Sequence, residues 1–217
     1  MSFPLNLPAL LFLTTTFFSS SVLAEKLVPT KNSIAPFRTL SVPVSAFPET
    51  STPKVTLFLW YGCDTCLNLE QLLKQDPQAV NWTRLPANIL RQWRHSSKTF
   101  LVLREMQEPF AMDLQLMDAI HNLGSDFDTV STFAAFFNNL GVDPKSFEEN
   151  FYSLKINTQL KKIEQFEKAI GLHKVPAALI HHKYFVDITM VNSLQQFVDT
   201  IHYLETLDES KVQPKAP

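Results

Sequence analysis

The chain has 217 residues, a length that suits one domain with an insertion. Its formal net charge is −2 and its Lys and Arg residues form no basic block, which argues against a nucleic-acid partner, because neutralising phosphates requires clustered cations. Apolar residues make up 45% of the chain, enough to bury a core without disulfide staples. Two cysteines, Cys63 and Cys66, are too few for a disulfide scaffold, so the pair either carries chemistry or is incidental.

The first 24 residues have the pattern of an export signal. Residues 5–13 are mostly apolar, and Val22 and Ala24 suit signal-peptidase cleavage after Ala24, although no Lys or Arg precedes Lys26. A retained membrane anchor is the alternative, but Thr and Ser residues make the segment too polar and too short for a span of about 20 apolar residues. A cleaved signal would place the mature chain in an oxidising compartment, where a disulfide can persist.

The mature chain opens with an extended stretch and one strong strand. Residues 25–53 contain five prolines, and one strand is predicted near residues 38–42. The run from Val55 to Trp60 is β-prone, apolar throughout and of the length expected for a buried strand. The C-x-x-C motif follows directly, and leucines at helical spacing then predict an amphipathic helix that ends before Pro77. A second strand is predicted at residues 79–83.

Residues 85–170 carry a helical pattern with breaks at Pro109, Gly124 and Gly141. Asp143 and Pro144 have the residue types of a helix N-cap and of the first helical position. Two apolar stripes recur at helical spacing and are interpreted as core. They comprise Phe147, Phe151 and Leu154, and then Leu160, Ile163, Phe166 and Ile170, which precede Gly171.

Strand character returns near the C-terminus. Residues 177–180 and 184–186 are apolar runs joined by a short polar turn, which indicates a β-hairpin. Asn192, with Gln195 three residues later, predicts the start of a final amphipathic helix.

The elements around the C-x-x-C motif give it chemical meaning. Between a strand and a helix, Cys63 lies at a helix N-terminus, where free backbone N–H groups and the helix dipole favour an anion. That environment lowers the pKa of a thiol and supplies the thiolate that attacks disulfides. Cys66, one turn inside the helix, is expected to be covered and to act as the resolving thiol. A bare C-x-x-C is a weak signal, and the flanking strand, helix and export signal strengthen it.

Two stretches of the chain resemble the DsbA family of periplasmic thiol:disulfide interchange proteins, which have a thioredoxin fold with an inserted helical domain. The long helical stretch between them also resembles the family in position and size. The matching residues are Leu59-Trp60-Tyr61-Gly62-Cys63 with Cys66 and Glu70, and Gly171 followed by Val175-Pro176-Ala177.

The resemblance implies roles for the residues of the motif. Cys63 is the nucleophile and Cys66 is the resolving cysteine. Glu70 is a partly buried carboxylate below the motif that moves protons for Cys66. An ordinary glutamate on the helix surface is the alternative, because exposed Glu is the base expectation.

The resemblance also implies a site for substrate. Pro176 is expected to be cis and to lie against the disulfide. The backbone of Val175 pairs with an extended substrate segment, and Tyr61 belongs to the same binding surface.

The chain departs from the family between the cysteines, where Asp64-Thr65 replaces the usual Pro-His. A histidine can stabilise the Cys63 thiolate, whereas the negative charge of Asp64 opposes it. The Thr65 hydroxyl could donate one hydrogen bond and recover part of that loss. A less stabilised thiolate makes the reduced form less favoured, so we predict a weaker oxidant than typical members of the family.

The sequence thus predicts an α/β protein with a thioredoxin-like domain, residues 25–84 and 171–217, and a helical insertion, residues 85–170. It is expected to be a periplasmic thiol–disulfide oxidoreductase that acts on cysteine-containing exported polypeptides. The resemblance implies recharging by a DsbB-type, quinone-linked membrane oxidoreductase. No bound cofactor is needed, since the disulfide itself is redox-active.

Two alternatives remain open at the level of sequence. A redox-silent peptide-binding or chaperone-like module would use the groove near Pro176 and keep the cysteines as a structural bond. A zinc site that joins His181 and His182 to the cysteines is weaker, because tetrahedral zinc usually needs better-spaced ligands.

Overall fold

A computed structural model describes residues 34–41 and 53–207. The predicted signal peptide, residues 1–24, lies outside the described residues, as does the end of the strand predicted to reach residue 42. Within the described chain, five strands form one mixed sheet in the order β1-β5-β4-β2-β3. The strands are β1 (Arg38–Thr39), β2 (Val55–Leu59), β3 (Thr83–Pro86), β4 (Ala177–Ile180) and β5 (Tyr184–Asp187).

Seven α-helices accompany the sheet in the described ranges. They are α1 (Asp64–Leu73), α2 (Arg94–Glu105), α3 (Ala111–Asn122), α4 (Val130–Asn138), α5 (Pro144–Tyr152), α6 (Leu154–Ile170) and α7 (Leu194–Glu205). Helices α2 to α6 all lie between β3 and β4 in the chain. None of the helices in the described ranges is both long and apolar enough to cross a membrane.

The predicted strand at residues 55–60 forms β2, every residue of which is buried. It pairs in parallel with β3 on one side and antiparallel with β4 on the other. The second strand, predicted at residues 79–83, is wrong in position, because Ala79–Asn81 form a 3₁₀ turn. Pairing with β2 begins only at Thr83, opposite Thr56, and continues to Pro86. The sheet therefore extends two residues past the domain boundary predicted after residue 84.

The sheet has an apolar layer on each face, because side chains alternate along a strand. Leu57 and Leu59 of β2 pack in a core with residues of α1 and α7, while Phe58 packs on the other face with Phe166 and Ile170 of α6. Both faces of β2 are thus covered, which explains why its sequence is apolar without alternation.

Phenylalanines fill the core between the inserted helices. Phe133, Phe137, Phe147 and Phe151 are each at most 1% exposed, and consecutive members of the series Phe137, Phe147 and Phe151 have ring centroids 5.8 and 6.3 Å apart. Leu154, predicted to share this stripe, is instead 82% exposed. The helical pattern is interrupted just before it, because α5 ends at Tyr152 and Ser153 caps a new helix.

The helix caps explain most helix boundaries. Asp143 caps α5 with Pro144 in its first turn, as predicted, and Gly171 ends α6 in the left-handed conformation at φ 65°. The prediction that Asn192 starts the last helix is wrong by one residue. Ser193 is the N-cap of α7, and its side chain accepts a hydrogen bond from the Gln196 N–H.

A buried carboxylate ties the segment after β3 to α6. Glu167 is buried, and its carboxylate accepts the backbone N–H of Asn88 at 2.6 Å. Glu164, one turn earlier, accepts from the Asn88 side chain and from Arg94. Burial raises the pKa of Glu167 from 4.5 to about 7, opposed by the Asn88 N–H and assisted by the nearby charge of Glu164.

This arrangement predicts a pH dependence of stability. Between pH 4.5 and about 7 the native state keeps a proton on Glu167 that the unfolded state releases, so the free energy of unfolding falls as pH rises through this window. In the wild type we expect the free energy of unfolding to fall by an amount on the order of 2 kcal/mol across this pH window. Glu167→Gln should abolish this fall, because glutamine can still accept the Asn88 N–H but carries no charge. Urea unfolding of the two proteins at several pH values measures the difference.

Glu149→Gln is the matched control, since it removes an exposed carboxylate of α5 that contacts neither Glu167 nor Asn88. An identical decline of stability with pH in wild type and Glu167→Gln would contradict this account.

Candidate active site

A tight turn joins β2 to α1 and carries the first cysteine. The Cys63 N–H donates to the Trp60 carbonyl at 3.0 Å, which closes the turn over Tyr61 and Gly62. Residue 62 must be glycine here, because an added Cβ would lie 2.5 Å from ring carbons of Trp60. The Trp60 ring stacks on Trp93, with centroids 4.2 Å apart, so this wall of the turn is rigid.

Cys63 is the N-cap of α1 and forms a disulfide with Cys66. The Cys66 N–H points at the Cys63 sulfur, at 3.1 Å from nitrogen to sulfur. Cys66 is fully buried at 0% exposure, whereas Cys63 is 8% exposed. Of the two cysteines only Cys63 therefore keeps any exposure to solvent, and its sulfur lies where backbone N–H groups and the helix dipole favour negative charge.

The loop before β4 lies against this sulfur. The Val175–Pro176 peptide bond is cis, as the resemblance implies. The Val175 carbonyl oxygen is 3.8 Å from the Cys63 sulfur, and Val175 is partly exposed while Pro176 is buried. Two segments more than 100 residues apart in sequence thus meet at the disulfide.

Asp64 and Thr65, between the cysteines, interact with each other. The Asp64 carboxylate accepts the Thr65 N–H at 2.7 Å and the Thr65 hydroxyl at 3.2 Å. The hydroxyl considered as a donor to Cys63 is thus engaged by Asp64 in this disulfide form. Asp64 is exposed in the first turn of α1, close to the sulfur that would become a thiolate.

Glu70 lies one helical turn beyond Cys66 and is buried, at 3% exposure. Its two carboxylate oxygens accept from Arg84 of β3, with Nε–Oε1 at 3.1 Å and Nη2–Oε2 at 3.2 Å. The same guanidinium donates to the carbonyls of Ala79 and Trp82. To take up a proton, the Glu70 carboxylate would therefore have to give up part of its two-point ion pair with Arg84.

The histidine pair of the β4–β5 turn does not support a zinc site. His181 contacts the Glu205 carbonyl and His182 contacts the Pro53 carbonyl. Among the residues that the structure describes, no group of three or more His, Cys, Asp or Glu side chains could hold a metal ion.

Comparison with known proteins finds relatives of this chain in sequence and in fold. No family model matches the chain. The thiol:disulfide interchange protein DsbA of Azotobacter vinelandii is 26% identical over 155 residues, covering 70% of this chain and 72% of that protein. DsbA of Pseudomonas aeruginosa is 28% identical over 169 residues, covering 76% of this chain and 80% of that protein.

Solved structures agree with these relatives. The crystal structure of Pseudomonas aeruginosa DsbA is similar with a TM-score of 0.70 and 26% identity, and the match covers 79% of this chain and 91% of that one. In sequence and in fold, the chain is similar to the DsbA family of thiol:disulfide interchange proteins. A more distant structure, Proteus mirabilis DsbA with a non-covalently bound peptide PWATCDS, has a TM-score of 0.63 at 16% identity, covering 79% of this chain and 96% of that one.

The protein is accordingly a DsbA-like thiol:disulfide oxidoreductase with an α/β fold. Two features of its site were not found from the sequence. Arg84 lies one residue beyond the strand predicted at residues 79–83, and nothing in the local sequence indicates that it pairs with Glu70. The other feature is the environment of Tyr61.

The contact of Tyr61 with substrate stays a prediction, and the structure shows where its side chain lies. Tyr61 is 5% exposed, and its hydroxyl donates to the buried carboxylate of Asp113 on α3. Its ring packs near Phe100 of α2, with centroids 6.3 Å apart. The side chain therefore faces the inserted helices rather than the exposed side of the disulfide.

Proposed function

We propose that this protein exchanges disulfides with extended, cysteine-containing polypeptides through a mixed disulfide on Cys63. The observation that carries the proposal is the contrast between the two sulfurs, since Cys63 is reachable at a helix N-terminus and Cys66 is fully buried. Such an asymmetry directs an incoming thiolate to one sulfur.

The exchange balances without any added group. When the protein oxidises a substrate, a substrate thiolate attacks the Cys63 sulfur, the Cys63–Cys66 bond breaks, and Cys66 leaves as a thiolate that takes up a proton. A second substrate thiolate then attacks the substrate sulfur of the mixed disulfide and releases Cys63 as a thiolate. The substrate loses two electrons to the protein disulfide, so no bound cofactor is required. Reduction of a substrate disulfide follows the same steps in reverse.

Backbone groups next to the disulfide suit an extended substrate. The partly exposed Val175, with its carbonyl 3.8 Å from the Cys63 sulfur, offers main-chain polar groups beside the reacting atom. A main-chain contact is tolerant of sequence, because specificity in strand addition comes from side-chain pockets instead. The peptide held by the Proteus mirabilis relative contains a cysteine, which supports polypeptides as the substrate class.

The protein works, in this proposal, outside the cytoplasm after removal of residues 1–24. The DsbA relatives support a periplasmic location, and a persistent disulfide requires an oxidising compartment. As an oxidase it would be recharged by a DsbB-type, quinone-linked membrane oxidoreductase.

The proposal extends to redox strength. Asp64 places an exposed carboxylate in the first turn of α1. This carboxylate accepts hydrogen bonds from the N–H and the hydroxyl of Thr65. Its charge opposes a thiolate on Cys63, so the reduced protein gains less stability than a member with Pro-His at these positions. The protein is therefore a weaker oxidant than such members.

The first prediction concerns the mixed disulfide. We expect Cys66→Ala to accumulate covalent adducts with substrate polypeptides on Cys63, because the thiol that resolves the adduct from within is gone. Non-reducing electrophoresis followed by mass spectrometry of the adducts measures this. Cys63→Ala, which leaves only the buried Cys66 thiol, is the matched control and should form none. If Cys66→Ala forms no adduct, a redox-silent peptide-binding module becomes the better explanation.

A second prediction concerns Asp64. Asp64→Asn removes the charge and Asp64→His introduces a basic group at this position, so the pKa of the Cys63 thiol should fall in that order from wild type. The equilibrium with glutathione should move toward the dithiol form by about three- to tenfold for Asp64→Asn. Alkylation rates of the reduced protein against pH, and glutathione titrations, measure the two quantities.

Glu149→Gln, which removes an exposed charge from α5, controls for the change in net charge and should leave both quantities unchanged. Equal thiol pKa values in wild type, Asp64→Asn and Asp64→His would refute the assignment of low oxidising power to Asp64.

A further inference from the structure

Tyr61 is held at both ends by α3. Its hydroxyl donates to Oδ1 of Asp113, and its backbone carbonyl accepts from Nε2 of His121 at 2.8 Å. Asp113 and His121 are eight positions apart, which corresponds to about 12 Å along a helix. Tyr61 therefore lies along this length of α3 rather than touching it at one point.

The Tyr61 turn, residues 60–63, is the segment that sets the position of Cys63. Its closing hydrogen bond runs from the Cys63 N–H to the Trp60 carbonyl, and Tyr61 is one of the two residues between them. A displacement of Tyr61 would move Cys63 relative to the first N–H groups of α1. The contact from the Cys66 N–H to the Cys63 sulfur, at 3.1 Å, depends on that alignment.

The Tyr61 hydroxyl is bound by a buried carboxylate, that of Asp113, and packing alone would favour an apolar residue there. Asp113 is fully buried, and its second oxygen accepts from Nη2 of Arg104 at 2.6 Å. Burial raises the pKa of Asp113 from 3.8 to about 6 despite the opposing influence of Arg104. Apolar residues of similar volume are often as stable or more stable than a buried ion pair. A polar anchor for Tyr61 at this place therefore suggests a role beyond packing.

We propose that Asp113 and His121 are positioning residues for disulfide exchange, which hold Tyr61 at its two ends and thereby fix the turn that presents Cys63 at the start of α1. The inference rests on the proposed function, in which Cys63 carries the mixed disulfide with the substrate. It assigns to the inserted helices a part in the redox chemistry, because α3 supplies both contacts.

The direction of the effect follows from the alignment of the thiolate. With the contacts to α3 removed, the turn can adopt other positions, and the Cys63 thiolate is less often aligned with the N–H groups of α1. The reduced form then loses stabilisation relative to the disulfide. The pKa of the Cys63 thiol rises, and the equilibrium with glutathione shifts toward the disulfide.

The test uses variants that each remove one contact. Tyr61→Phe removes only the hydroxyl, and His121→Leu removes only the donor to the Tyr61 carbonyl. We expect each to shift the glutathione equilibrium toward the disulfide by about three- to tenfold, with a parallel rise in the thiol pKa measured from alkylation rates. His121→Gln, whose side-chain amide can donate to the same carbonyl, should recover most of the wild-type equilibrium.

Thr200→Val is the matched control for lost stability. It removes a buried hydroxyl of α7 that contacts Ala35 and Gln196, none of which belongs to the Tyr61 turn. This variant should be less stable in urea yet equilibrate with glutathione as the wild type does.

Two results would overturn the inference, and they can be told apart. If Tyr61→Phe and His121→Leu lose stability but keep the wild-type equilibrium and thiol pKa, the contacts are structural only. If the wild-type disulfide itself does not equilibrate with glutathione, the proposed function fails first.

Discussion

The structure depends on one constraint: a sulfur must be held at the N-terminus of α1 while remaining reachable. Cys63 meets it as the N-cap residue, with the Cys66 N–H 3.1 Å from its sulfur. A helix N-terminus favours a thiolate only when the sulfur is aligned with the free N–H groups, so the preceding turn must be rigid. The rest of the fold supplies that rigidity.

The Tyr61 turn is held by contacts with several neighbouring elements. Behind it, β2 is buried on both faces and paired on both edges, so the strand that delivers the turn cannot shift easily. Beside it, α2 and the residues before it hold Trp60 by ring stacking and by a hydrogen bond to Ser96. From the loop before β4, the Val175 carbonyl oxygen lies 3.8 Å from the sulfur. The inserted helices thus help to hold the Tyr61 turn, since they contact it directly.

Local sequence patterns predicted those elements whose position depends only on residues adjacent in the chain. The apolar run of β2, the Asp143 cap and the Gly171 stop are all recognisable from a few adjacent residues. The misplaced elements depend on distant partners or on a competing cap. Ala79–Asn81 form no strand because pairing with β2 starts at Thr83, and Leu154 leaves the core because Ser153 starts a new helix. In the site, the partners Arg84 of Glu70 and Asp113 of Tyr61 lie 14 and 52 residues away, beyond any local pattern.

The central claim is that Cys63 and Cys66 form a reversible redox pair rather than a structural bond. The most direct test is the equilibrium of the purified mature protein with glutathione buffers of graded potential, followed by alkylation of the free thiols. We predict one reversible two-electron transition in which both cysteines open and close together. A disulfide that stays closed over the whole range of potentials, with no thiol appearing, would contradict the account.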